Sequence, residues 1–154
     1  MNRKIALGLL VVLLLGLSSL GGCRKIRFYV GWPEEVTNAP ADSPEAVIQD
    51  ALRAALEKGE SKAWRQFRDL LHKDSIKTGG QRKLWRNERF ARMRRQIKNY
   101  IRDPGLPSYA LIGYKVLDSG EHVLLLESSA SKVGTPCTLM RDAQKGWKIK
   151  SCSL

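Results

Sequence analysis

From Ser43 to Arg102 apolar side chains return every three or four residues, and from Ala110 onward they return every second residue. The first helix opens at Ser43-Pro44-Glu45, which supplies a capping hydroxyl, a proline whose missing N–H costs nothing, and an acid in the first turn. Val47, Ile48, Ala51, Leu52, Ala55 and Leu56 form its apolar face, and Gly59 is expected to stop it as a left-handed cap. A second helix is expected from Ser61 to His72, burying Trp64, Phe67, Leu70 and Leu71, followed by a turn-rich break from Asp74 to Gly80. The third runs from Gln81 to Arg102 with Phe90, Met93, Ile97, Tyr100 and Ile101 on one narrow stripe. Leu84 and Trp85 lie off that stripe, so a bend or a later start is expected there. Asp103-Pro104-Gly105 then ends helical structure. Ala110, Ile112, Tyr114 and Val116 alternate on one face of a strand, and Asp118 to Glu121 signals a hairpin. His122–Ser128 returns, and Thr135–Arg141 and Trp147–Cys152 form a last pair around a turn from Asp142 to Gly146. Helices followed by an antiparallel meander predict an α+β domain, with N-terminal helices packed on a sheet of about four strands.

The amino-terminal stretch fits neither period. Arg3 and Lys4 precede an uncharged run from Ile5 to Gly22, which ends in Leu20-Gly21-Gly22-Cys23. A basic start, an apolar middle and small residues before a cut mark an export signal. Ending on a cysteine, the run resembles a bacterial lipoprotein signal with its lipobox. That resemblance implies lipidation of Cys23 by diacylglycerol and fatty acid such as palmitate, with removal of residues 1–22. An uncleaved membrane anchor is the rival reading, since the run is long enough to be a transmembrane candidate. Glycines and serines dilute its end, however, and Arg24, Lys25 and Arg27 follow at once, so basic residues do not favour one side. Residues 23–42, with Gly31, Pro33 and Pro40, read as a lipidated tether, and residues 43–154 as one domain. Phe28, Tyr29 and Trp32 suit either a membrane interface or the domain surface. Arg24 stands where an aspartate usually retains a lipoprotein at the inner membrane. The outer membrane, facing the periplasm, is the expected location.

Charge sharpens the picture of the third helix. Loss of Arg3 and Lys4 lowers the formal charge from +12 to +10, which still favours acidic partners. From Gln81 to Arg102 there are nine basic residues and one acid, Glu88. Arg92, Arg95, Lys98 and Arg102 fall opposite the apolar stripe and form the candidate site for an anionic surface, whether anionic lipid, lipopolysaccharide or an acidic protein. The plain alternative is a solvated amphipathic face. Nucleic acid is disfavoured, because Phe90 and Tyr100 belong to the stripe that feeds the core and the expected compartment lacks it.

Ser43-Pro44-Glu45-Ala46-Val47, the Leu56-Glu57-Lys58-Gly59-Glu60 helix end, Trp64 and Phe67 of the second helix, and Gly146-Trp147-Lys148-Ile149 resemble the small NTF2-like, cystatin-like lipoproteins of bacteria. The resemblance spans Ser43 to Ser151 and implies a cone, with a curved sheet wrapped around the helices. That superfamily holds enzymes, carriers and interaction domains, so it does not select an activity.

With Cys23 lipidated, Cys137 and Cys152 are an even pair in an exported chain, and a disulfide is expected. Two registers compete for the last hairpin. Pairing Asp142 with Trp147 sets Cys137 opposite Cys152; pairing Arg141 with Trp147 groups Leu139 with Trp147 and Ile149 but sends Cys152 to the other face. A one-residue bulge reconciles them in favour of the bridge. No CxxC pair or histidine cluster suggests a metal, and no cofactor is expected. Asp69, His72, Asp118, His122 and Glu127 are the thin set from which an enzyme would draw, with both histidines expected at the surface. The expected role is therefore a non-catalytic binding or assembly module; a small-molecule enzyme using the cone pocket is the alternative.

Overall fold

The computed structural model describes residues 33–154 except Leu106. The export signal expected at residues 1–22, with Cys23, Arg24, Phe28, Tyr29 and Trp32, lies outside the described residues.

Ser43 Oγ accepts from the Ala46 N–H at 3.1 Å and starts helix α1 (Pro44–Leu56), with Pro44 and Glu45 in its first turn. Its buried face carries Ile48, Ala51, Leu52 and Ala55. Gly59 does not end it in a left-handed turn as expected. It is extended, with φ −79°, and serves as the cap residue of α2 (Glu60–Asp69). Helix α2 ends before His72 because, after the helical cap residue Leu70, Leu71 bridges to Ile149 of the sheet and His72 is extended. A short 3₁₀ turn (Lys73–Ile76) leads to a long helical run: α3 (Gly79–Leu84), a π-helical turn (Trp85–Phe90), α4 (Ala91–Gln96) and a 3₁₀ turn (Ile97–Asn99). Thr78 and Gln81 cap its start reciprocally.

The sheet is antiparallel and holds six strands: β1 (Glu34–Val36), β2 (Ile101–Asp103), β3 (Ser108–Val116), β4 (His122–Ser128), β5 (Ser131–Asp142) and β6 (Gly146–Cys152). Their order is β1-β3-β4-β5-β6, with β2 pairing the beginning of β3. The fold is α+β. The four meander strands match the expectation; β1 and β2 are additions. The sequence pattern puts Glu34–Val36 in the tether and Ile101–Asp103 at a helix end. Both strands are three residues long and rich in charge, so neither carries a readable alternation.

Two of the four register shifts in the sheet change which side chains reach the core. Leu111 pairs with Leu126 but Gly113 with Leu125, so Ile112 is an extra residue in β3. Tyr109 and Leu111 therefore face the core before the bulge and Tyr114 after it, which replaces the expected continuous face of Ala110, Ile112, Tyr114 and Val116. In β6 the extra residue is Lys150. Leu139 pairs with Ile149 and Arg141 with Trp147, while Cys137 still meets Cys152. The expected bulge is thus present.

The core lies between the helices and one sheet face, with Ile48, Leu52, Phe67, Met93, Tyr109, Leu124, Leu126, Leu139 and Ile149 fully buried. Two buried polar residues fasten its margins. The Gln49 amide donates to Thr37 O and Pro107 O and accepts from the Ala39 N–H, which holds the segment after β1 to α1. The Tyr109 hydroxyl donates to Glu45 O at 2.9 Å. On the outer edge of β6 the His72 N–H donates to Ile149 O and the Ile149 N–H donates to Leu70 O, each at 2.8 Å. That edge is consequently covered rather than left open. His72, expected at the surface, is buried beneath this seam, and its Nδ1 accepts from the Asp74 N–H.

Candidate functional site

The π-helical turn decides which side chains of the basic run point where. In a regular α-helix, at about 100° per residue, Trp85 and Phe90 would diverge by about 140°. One extra residue in the turn brings them to within about 40°, so both reach the core. They join Trp64 and Phe67 in an aromatic cluster, with Phe67 and Phe90 stacked at 4.5 Å, Phe67 and Trp85 at 6.0 Å, and Trp64 and Phe90 at 5.9 Å between ring centroids. The off-stripe position of Trp85 is therefore the mark of a helix carrying an additional residue.

With the aromatic side chains inward, the cations turn outward. Arg82, Lys83, Arg86, Arg92, Arg95 and Lys98 are exposed, and none forms an ion pair among the described residues. Two cations of the run have structural work. The Arg89 guanidinium sits 4.7 Å from the Trp85 ring centroid. Arg94 is half-buried and donates through Nε to Ala55 O at 3.3 Å and through Nη2 to Glu57 O at 2.8 Å, holding the carbonyl end of α1.

The four candidate residues do not form one cluster. Arg95 rims a groove of about 390 Å³ between α2 and the helical run. Arg92 borders a separate cavity of about 360 Å³ against Ser151–Leu154. Lys98 is exposed on the 3₁₀ turn, and Arg102 lies on β2, where it pairs with Glu127. The sequence pattern does not single out Arg86 and Arg94, which border the same groove as Arg95. Their helical phase is readable only once the π turn is known.

A larger cavity of about 670 Å³ opens where β1 and residues 37–40 meet α1 and β3. Glu34, Glu35, Glu45, Leu111, Tyr114 and Val116 are among its walls. None of Asp69, His72, Asp118, His122 and Glu127 lines it. Asp69 pairs with Arg68 at 3.2 Å. His122 lies behind the cavity wall, its Nδ1 hydrogen-bonded to the Tyr114 hydroxyl and its ring 4.2 Å from Trp147. Loss of water lowers the His122 pKa below its ordinary value, partly offset by Glu45. Burial raises the Tyr114 hydroxyl, with the charge of Glu45 adding to it. Tyr109 is raised by burial, and by Glu45 and Glu34.

Among the described residues no group of three or more His, Cys, Asp or Glu side chains could hold a metal. No described helix is long and apolar enough to cross a membrane. Cys137 and Cys152 face each other across β5 and β6 at disulfide distance, with Cα atoms 4.0 Å apart. Comparison with protein-family models, curated proteins and solved structures finds no match.

Proposed function

We propose that this chain is a lipid-anchored protein of the bacterial cell envelope, held through Cys23 at the outer membrane, whose single NTF2-like domain is a non-catalytic module that engages an anionic partner. The observation that carries the reading is the outward face of residues 79–98, where six exposed cations stand without ion pairs among the described residues. Elsewhere on the surface some acids are matched by cations outside the run, as Asp42 is by Arg141 at 2.6 Å and Glu57 by Lys62 at 2.6 Å. Against those six cations the run carries one acid, Glu88, so this face is positive and attracts phosphate- or carboxylate-bearing partners. An enzyme in the sheet cavity is the weaker reading. Glu34, Glu35 and Glu45 offer carboxylates there, but no histidine, cysteine or lysine lines it among the described residues.

Two measurements test the proposal. Intact mass of the membrane-extracted chain is expected to show a lipidated Cys23 at the amino terminus; an unmodified Met1 terminus overturns the anchor. The full-length chain, held in phosphatidylcholine nanodiscs, is expected to bind phosphatidylglycerol vesicles at about 0.1 M salt and to release them at about 0.5 M, as exposed charges are screened. Replacing Arg95 and Lys98 together by glutamate should weaken that binding further. Binding indifferent to both changes would return the run to a solvated face.

A further inference from the structure

The geometry points to a discrete site for the phosphate headgroup of a lipid, in the groove between α2 and the basic helical run. It rests on the anionic-partner reading and narrows it from a diffuse field to one pocket. The floor of the groove is aromatic, with Phe90 buried and Trp64 half-buried, their ring centroids 5.9 Å apart. Its rim is cationic: Arg86, Arg94 and Arg95 border it, against one acid, Glu60. An aromatic floor under three guanidinium groups is complementary to an anion attached to an apolar body. Arginine forks match the paired oxygens of phosphate, and the exposed part of the Trp64 ring suits the glycerol and first methylenes below the headgroup.

The π turn assembles this rim. On an uninterrupted α-helix Arg86 would point about 80° away from Arg94 and directly opposite Arg95. Removal of about one residue's rotation brings Arg86 to within about 20° of Arg94 and about 80° of Arg95. The turn that sends Trp85 and Phe90 inward thus gathers three guanidinium groups on one side. Arg94 is already ordered by its bonds to Ala55 O and Glu57 O, so part of the rim is fixed before a ligand arrives. The groove, at about 390 Å³, suits a headgroup and its first carbons.

Isothermal titration of the full-length chain in phosphatidylcholine nanodiscs tests the site. The probes are monomeric dihexanoyl phosphatidic acid, dihexanoyl phosphatidylcholine and inorganic phosphate. Phosphatidic acid is expected to bind at least about tenfold more tightly than either of the others, since one lacks net charge and the other leaves the floor uncovered. The double variant R86Q/R95Q is expected to lose about tenfold or more in affinity. R82Q/K83Q, which removes the same charge from the same run outside the groove, is expected to lose less than about twofold. All four residues are exposed, and circular dichroism checks that both variants fold. Equal losses in the two variants would overturn the groove and leave the diffuse field. Free phosphate binding as well as phosphatidic acid would overturn the lipid assignment. Loss of vesicle binding together with absence of any probe binding would sink the anionic-partner reading itself.

Discussion

His122 is held half-buried between Tyr114 and Trp147, and loss of water lowers its pKa from the ordinary 6.5, against a smaller opposing effect of Glu45. The unfolded chain therefore binds a proton at a higher pH than the folded one. The stability associated with neutral His122 is intact above pH 6.5 and is lost as pH falls from there toward the lower folded pKa. Thermal melts from about pH 7 to about pH 5.5 are expected to show a decline that is shallower in His122→Asn. Identical slopes in the two proteins would remove His122 as a source of acid sensitivity. This environment was not legible in the sequence, which marks histidines as polar and therefore exposed. Burial at His72 and Gln49 depends on hydrogen-bond partners far along the chain, Ile149 O above the His72 backbone and Pro107 O at the Gln49 amide. Composition and spacing do not record such partners. The paired cysteines were legible because their chemistry restricts them to each other.

At the scale of elements, apolar spacing located each helix and all four long strands to within a few residues at most ends. Regular spacing breaks wherever the chain carries one residue more than a regular element holds, and only in the last hairpin was the extra residue itself expected. The π turn, Ile112 in β3 and Lys150 in β6 are three such places, and each exchanges the faces of the residues beyond it. Trp85 and the disputed pairing of the last hairpin stand out in the pattern as contradictions, which an extra residue resolves. Arg86 and Arg94 leave no such trace, because a charged residue tolerates either side of an exposed helix. The π turn yields a direct test. Deleting Asn87, which is exposed in the middle of the turn, should restore a continuous α-helix with Trp85 and Phe90 still facing inward. The variant is expected to melt within about 1 kcal/mol of the parent. An alanine inserted at the same place should rotate one aromatic residue out of the cluster and cost about 3 kcal/mol or more. Equal destabilisation by both changes would mean that helical phase does not govern the packing.

For the whole molecule, the Cys137–Cys152 pair closes a segment with a sequence separation of 15, a loop whose crosslinking contributes about 3 kcal/mol in the chain-entropy model. Thiol titration of the unfolded, unreduced protein isolated from its native cells should find neither cysteine free; two reactive thiols per chain would show the pair unbridged. The α+β layering was legible in the order of periods along the sequence, whereas the strands at the amino-terminal margin and beside β3 were too short to read. The covered edge of β6 has a further consequence, for cooperativity. This strand is bonded on one side to β5, its neighbour in sequence, and on the other to Leu70–His72, so a single element closes both a short loop and one spanning most of the domain. Closing the long loop has an entropic cost that only the assembled core repays, so the helical half gains little by folding before the sheet half. Far-ultraviolet signal and tryptophan emission are therefore expected to change at one denaturant midpoint, with two separated midpoints as the contrary result. The hydrogen bonds between Leu70–His72 and Ile149 act in this way as a clasp that makes the two halves keep or lose their structure together.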